Sequence, residues 1–363
     1  MTLDNYFKKF SKNLAYLELK DSSNFQMLKG ISLPVYIDEV KEGILSGSME
    51  EEIKVQNFFD GMIINLAIDP DFIYNDKYKL ILDKYIDDFA KYTTNQALQA
   101  KDRIKAILLL RGGFLLNPLD SYNSYLYARN LWPLAFEISE DYKDEFIKKS
   151  IEILEDIIKR NENFAPSYFE LGNIYANLGR YIKAKSYYNK ALQKTDSIEA
   201  IDEIRDKISE IEDNAQIEEA LYFIGKSRYD EAIRTLTHLL SNAKRADAYY
   251  YLGVSYQNIG QYENSIMAFE NAIDLGGNFR ELYNDYAISL YLEQNLQQAL
   301  EVIDKGLKLY PSDPRLSYNK IQINLVLGNL NQAQKDIEEL LSFDDLSDEI
   351  GENLSIIKEQ FKI

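Results

Sequence analysis

A single histidine, His238, and no cysteine set narrow limits on the chemistry open to this chain of 363 residues. Without cysteine there is no disulfide, no thiolate nucleophile, and no Cys-ligated zinc or iron–sulfur cluster. His238 stands in Thr-His-Leu-Leu-Ser-Asn (237–242) with no second histidine at ligand spacing, so zinc would have to be held by carboxylates alone beside it. Asp69-Pro-Asp71-Phe-Ile-Tyr-Asn75-Asp76 has the look of a calcium loop. That loop needs an oxygen ligand at its fifth place, Gly at its sixth and Glu at its twelfth; Ile73, Tyr74 and Leu80 stand there instead. It reads as a polar turn that caps the helix after it. Gly112-Gly113 and Gly276-Gly277 lack the strand-to-helix context of a phosphate loop; the first pair suits close helix packing, the second a helix stop. No catalytic residue, metal or cofactor is expected.

The elements that would position side chains repeat. Ser265, Ala299 and Ala333 stand 34 residues apart, and Tyr249 and Tyr283 keep the same interval. A period of that length marks a solenoid of helical hairpins, each burying its apolar face on its neighbours, so the length fits one repeat body. The hydrophobic share is 46% against 28% charged, which suits a folded chain. With 41 Lys plus Arg against 59 Asp plus Glu, the net charge of −18 repels phosphate backbones and anionic membrane surfaces. Neither nucleic acid nor membrane is an expected partner. The charged N-terminus is no signal peptide, and no window reaches the roughly 18 uncharged apolar residues of a membrane span. The chain reads as cytoplasmic.

The clearest unit is Ala165–Asp196. Tyr168, Leu171 and Tyr175 share one helix face, Gly172 sits beside Leu171, Asn177-Leu-Gly-Arg marks a turn, and Tyr181, Ala184, Tyr188 and Ala191 form a second apolar stripe. A second copy runs through Tyr249, Leu252, Gly253, Tyr256, Gly260, Tyr262, Ser265, Phe269 and Ala272. This pattern resembles the tetratricopeptide repeat (TPR). The resemblance implies an all-α, right-handed superhelical solenoid acting in protein–protein interaction. Weaker copies follow from the spacing, giving about seven units over 87–346, starting near 87, 121, 165, 213, 246, 280 and 314. Insertions fall near 133–142, where Pro133 should stop a helix, and near 197–212. The isoleucines at 198, 201, 204, 208 and 211 make the second insertion helical, either a lengthening of the preceding helix or an extra one. It packs on the solenoid or meets a partner.

Residues 347–363 read as a capping helix, with Ile350, Leu354, Ile357 and Phe361 on one face. Residues 1–86 do not fit the repeat. They read as a helical segment with helices near 4–19, 37–46, 48–67 and 76–86, and a capping box from Ser48 to Glu51.

Of the 28 tyrosines, Tyr168, Tyr175, Tyr181, Tyr188, Tyr229, Tyr249, Tyr256, Tyr262, Tyr283 and Tyr286 fall at positions this family uses for packing, so their abundance is mainly structural. In TPR proteins the first helices line a concave groove. At its fifth, ninth and thirteenth helix positions the resemblance places Lys91, Asn95, Tyr125, Arg129, Phe169, Asn173, Asn177 and Tyr250, polar in the N-terminal half and aromatic further on. Amides hold an extended backbone and aromatics give contact area. The clamp that captures chaperone carboxylates is not met: Lys91 and Asn95 match, but Leu126, Pro166 and Glu170 fill its other places. The expected function is a non-catalytic adaptor binding a peptide or protein segment in the groove. The alternative is a peptide-sensing receptor with residues 1–86 as output. An enzyme within 1–86 would work without His or Cys.

Overall fold

The computed structural model describes residues 2–18, 29–38, 54–343 and 346–361. The chain divides into two compact units, one ending at Ile208 and the next beginning at Ser209.

The first unit opens with α1 (Leu3–Lys8), a 3₁₀ turn (Lys9–Asn13) and strand β1 (Leu14–Leu17), which pairs antiparallel with β2 (Leu33–Tyr36). A helix over 4–19 is the local expectation, and Leu3, Phe7 and Leu14 satisfy its period. The helix ends early because β2 offers Leu14–Leu17 a ladder from 16 residues away, information that no local window carries. Every residue of β2 is buried. The ribbon lies on α2 (Val55–Ile68), where a Cβ at Gly61 would sit 1.8 Å from the Pro34 carbonyl oxygen, so only glycine allows the approach. The expected helix over 37–46, the start of the one over 48–67, and the Ser48–Glu51 capping box lie mostly or wholly outside the described residues.

The Asp69–Asp76 segment is indeed a turn. Asn75 opens α3 (Asn75–Tyr85) but does not cap it; its amide reaches back to the Asp69 and Pro70 carbonyls at 2.8 and 2.9 Å.

Helical pairs follow: α4 (Phe89–Gln99) with α5 (Arg103–Leu116), α6 (Ser121–Leu134) with α7 (Glu140–Arg160), and α8 (Ala165–Asn177) with α9 (Tyr181–Leu192). Gly112 and Gly113 let α5 close on Ile63, Thr93 and Asn123. Pro133 lies in the last turn of α6, residues 135–139 connect it to α7, and Glu140, Asp141 and Tyr142 of the insertion open that helix of 21 residues. The second insertion behaves otherwise than expected. Residues 198–225 form one helix of 28 residues, α10 (Ile198–Gly225), so the insertion lengthens the following helix rather than the preceding one. No Gly or Pro interrupts 198–224, and nothing stops the helix before Gly225.

In the second unit Ile217 and Ala220 of α10 pack with Ala232, Leu236 and Leu239 of α11 (Tyr229–Leu240), and with Ala248 and Leu252 of α12 (Ala246–Asn258). Then come α13 (Tyr262–Asp274), α14 (Arg280–Leu292), α15 (Leu296–Leu309), α16 (Pro314–Val326) and α17 (Leu330–Leu340). The closing helix α18 (Asp348–Phe361) lays Leu354 and Ile357 on Ile321, Ala333, Ile337 and Leu340. Ser265, Ala299 and Ala333 are all wholly buried, which is why the beat keeps small residues there. The ten tyrosines assigned to packing are all buried or half-buried.

Candidate functional site

The first helices α4, α6 and α8 stand side by side in the first unit. Asp120 caps α6 through the Asn123 amide, and that helix presents Tyr125 and Arg129 one turn apart. Tyr125 is only 7% exposed, its ring edge-on to Phe164 with 5.7 Å between centroids. Burial pushes its hydroxyl pKa up to about 12, with Glu170 adding to the rise and Arg129 opposing it. Arg129 stands exposed above it, its guanidinium 3.9 Å from Glu170 on α8.

Glu170 is 3% exposed and also accepts a hydrogen bond from the Trp132 indole N–H. Burial raises its pKa, while the Trp132 bond, Arg129 and Asn173 draw it back. An exposed cation thus stands near a buried carboxylate, beside the buried Tyr125 ring.

Phe169 is half-buried against the Tyr188 ring at 5.8 Å. Asn173 is half-buried too, its Oδ1 accepting from the Tyr188 hydroxyl at 2.8 Å. Asn177 is exposed and donates to the Asn173 carbonyl at 2.9 Å. Lys91 and Asn95, both exposed, line a recess of about 510 Å³ with Phe59, Tyr85, Asp88 and Tyr92. The structure therefore gathers Tyr125 and Arg129 about Glu170, places Lys91 with Asn95, and turns one face of Asn173 inward.

Tyr250 belongs to the second unit. Its hydroxyl donates to Asp285 Oδ2 at 2.9 Å, and burial with the Asp285 charge raises its pKa. Asp285 Oδ1 accepts from the Asn284 amide at 3.0 Å, and burial raises the Asp285 pKa against both bonds. These groups line a recess of about 620 Å³. A neighbouring hollow of about 260 Å³, lined by Ile288, Tyr291, Leu292 and Ile323, is apolar.

Sequence reasoning missed Glu170 and Asp285 as site residues. Both are the sixth residue of a first helix, one place beyond the fifth-position series, and each accepts from an aromatic donor on the preceding first helix. An acid wedged between Phe169 and Leu171 was the available signal. His238 is exposed, its Nδ1 3.1 Å from Gln216 Oε1. Among the described residues no three His, Asp or Glu gather as a metal site, and no helix is long and apolar enough to cross a membrane.

Paired helices with small residues at their crossings and glycine turns between them define a helical-repeat protein. Residues 165–193 and 246–275 match the family model of the tetratricopeptide repeat. The chain carries tetratricopeptide repeats, the helical-hairpin repeat of protein–protein interaction scaffolds. Solved structures similar to it include MamA from Desulfovibrio magneticus RS-1, 19% identical, covering 53% of this chain and 99% of that one, TM-score 0.36. Pseudomonas aeruginosa PilF is 16% identical over 64% of this chain and 98% of its own, TM-score 0.40. YrrB, described as a TPR protein with an unusual peptide-binding site, is 15% identical over 69% and 97%, TM-score 0.29.

Proposed function

We propose that the chain is a non-catalytic scaffold whose first-helix faces bind a segment of another protein. The observation that carries this reading is Arg129, exposed yet 3.9 Å from the carboxylate of Glu170 buried beneath it. The buried charge draws the guanidinium towards this face, and arginine is enriched where proteins meet. Asn173 and Asn177 on the neighbouring helix add amide groups suited to a peptide backbone. Lys91 and Asn95 extend the same strip.

The test is affinity capture from the native cell with mass spectrometry, comparing wild type with Arg129→Glu combined with Asn177→Ala. The variant adds a like charge beside the buried Glu170, so it should melt a few degrees below wild type yet stay folded at the capture temperature, while losing at least about tenfold of the captured partner. Tyr125 is left intact because truncating so buried a ring opens a cavity and confounds the result. Capture of the same proteins in the same yield by the variant would sink the reading.

A further inference from the structure

Asp285 differs from the other charged groups around it. Its two oxygens are satisfied by neutral donors, Tyr250 and Asn284, and no Lys or Arg nitrogen lies within 4.0 Å among the described residues. The remaining charges of the 620 Å³ recess are accounted for. Arg280 pairs with Glu281 at 3.0 Å and approaches Asp313 at 3.9 Å. Asp313 Oδ1 is taken by the amides of Arg315 and Leu316 at the start of α16, at 3.0 and 2.9 Å. Arg315 is exposed, and a cation in water requires no partner. Arg315 acts on Asp285 only from beyond ion-pair distance, so this half-buried carboxylate still gains from a cation arriving in direct contact.

Two further observations describe what would carry that cation. Residues 209–363 hold 26 of the 59 acidic and 13 of the 41 basic residues, a net charge of −13. A field of that sign draws cationic segments and repels anionic ones. Beside the recess, Asn319 donates to Asn284 at 2.7 Å, and beyond that pair lies the apolar hollow of Ile288, Tyr291 and Leu292. Asn319 Oδ1 accepts no bond among the described residues and is available to a peptide N–H.

We propose that this face of α14 and α16 binds a protein segment carrying a lysine or arginine opposite Asp285 and an aliphatic side chain in the adjoining hollow. The inference rests on the reading of the first helices as binding surfaces and deepens it by naming the partner's chemistry. Asp285 and Leu292 are two turns apart on α14, roughly 10 Å at about 1.5 Å per residue. An extended segment covers that span in about three residues at roughly 3.3 Å each. The motif is therefore a basic residue and a leucine or isoleucine about three positions apart, in either order.

The experiment is fluorescence anisotropy of the full chain with blocked, dye-labelled peptides of Gly, Ser and Thr carrying one lysine and one leucine three positions apart, in both orders. Companion peptides place norleucine for lysine, or serine for leucine. One lysine–leucine order should bind, and its norleucine counterpart should bind at least tenfold more weakly at low salt. Asp285→Asn retains an acceptor for Tyr250 and should melt close to wild type. It should lower the lysine peptide to the norleucine level, and Ile288→Ser should erase the preference for leucine. The proposal is overturned if neither order binds at millimolar concentration, if norleucine serves as well as lysine, or if Asp285→Asn binds as tightly as wild type. Arg129→Glu lies in the other unit and should leave peptide binding unchanged. Release of captured partners by Arg129→Glu and discrimination by Asp285 therefore succeed or fail separately.

Discussion

The hydroxyls of Ser265 and Ser289 lie 2.9 Å apart, both shielded from solvent, and tie together two helices that the repeat only packs. Ser265 also donates to the Gly253 carbonyl at 2.8 Å, and Ser289 accepts from the Gln257 amide at 2.8 Å. Three helices, α12, α13 and α14, thus share one buried polar chain, with Ser265 standing where the next two repeats place Ala299 and Ala333. Removing one hydroxyl leaves a buried partner unsatisfied, so Ser265→Ala or Ser289→Ala should each cost about 1–2 kcal/mol. The double variant should cost less than the sum, because the two share a bond. Urea melts of the four proteins measure this; strict additivity would show that the hydroxyls are independent.

The turns within the hairpins invite stabilisation. Gly260 and Gly328 adopt φ of 76° and 77°, and Gln294, midway at the same 34-residue interval, is held at 63°. Ser227 is likewise at 55°. At each place the next residue donates back across the turn, as Asn295 does to the Leu290 carbonyl at 2.8 Å. A side chain in this left-handed region is strained, and glycine is not. Gln294→Gly and Ser227→Gly should each raise stability by about 0.5–1 kcal/mol, read as a higher urea midpoint with an unchanged slope.

How much of this was legible in advance follows from where each constraint lives. The hairpins are written locally: Tyr168, Leu171 and Tyr175 on one stripe, Gly179 at the turn, Ala184 and Ala191 on the next. Strand β1 was not, because Leu14–Leu17 satisfy a helical period and owe their extension to the distant Leu33–Tyr36. Arg129 and Asn177 are exposed, as the repeat leaves their positions free. Glu170 and Asp285 were missed because their environment comes from burial by a neighbouring repeat, which one helix read alone does not show.

Glycine at position 172 is required by a ring on the next helix. A Cβ there would lie 2.4 Å from a Tyr188 ring carbon, and Tyr188 is 1% exposed with its hydroxyl on Asn173. The ring has no space to retreat, so Gly172→Ala should destabilise by about 1–3 kcal/mol despite alanine's better helix propensity. Tyr188→Leu in the same background should recover part of the loss, while a Gly172→Ala protein as stable as wild type would mean that the hairpin can open at this crossing. Gly253 faces Phe269 in the same way, at 2.5 Å, and Gly253→Ala should behave alike.

Glu170 gives the first unit a stability that depends on pH with a definite sign. Burial raises its pKa in the folded protein, partly offset by Trp132 and Arg129. Over the range between the ordinary Glu value, about 4.3, and the raised folded value, the folded protein holds a proton that the unfolded chain has released. The contribution of Glu170 to stability is therefore greatest in acid, falls as pH rises through that range, and is flat above it. Glu170→Gln is neutral throughout and keeps an oxygen to accept from the Trp132 indole. The stability difference between the glutamine variant and wild type should thus increase in the variant's favour from about pH 4 upward, then level off. Arg129→Glu removes the opposing cation and adds a like charge, so it should extend the range to higher pH. Urea melts of the three proteins across that interval measure the effect. A difference between Glu170→Gln and wild type that does not move with pH would place the Glu170 carboxylate in an environment as favourable to its charge as water.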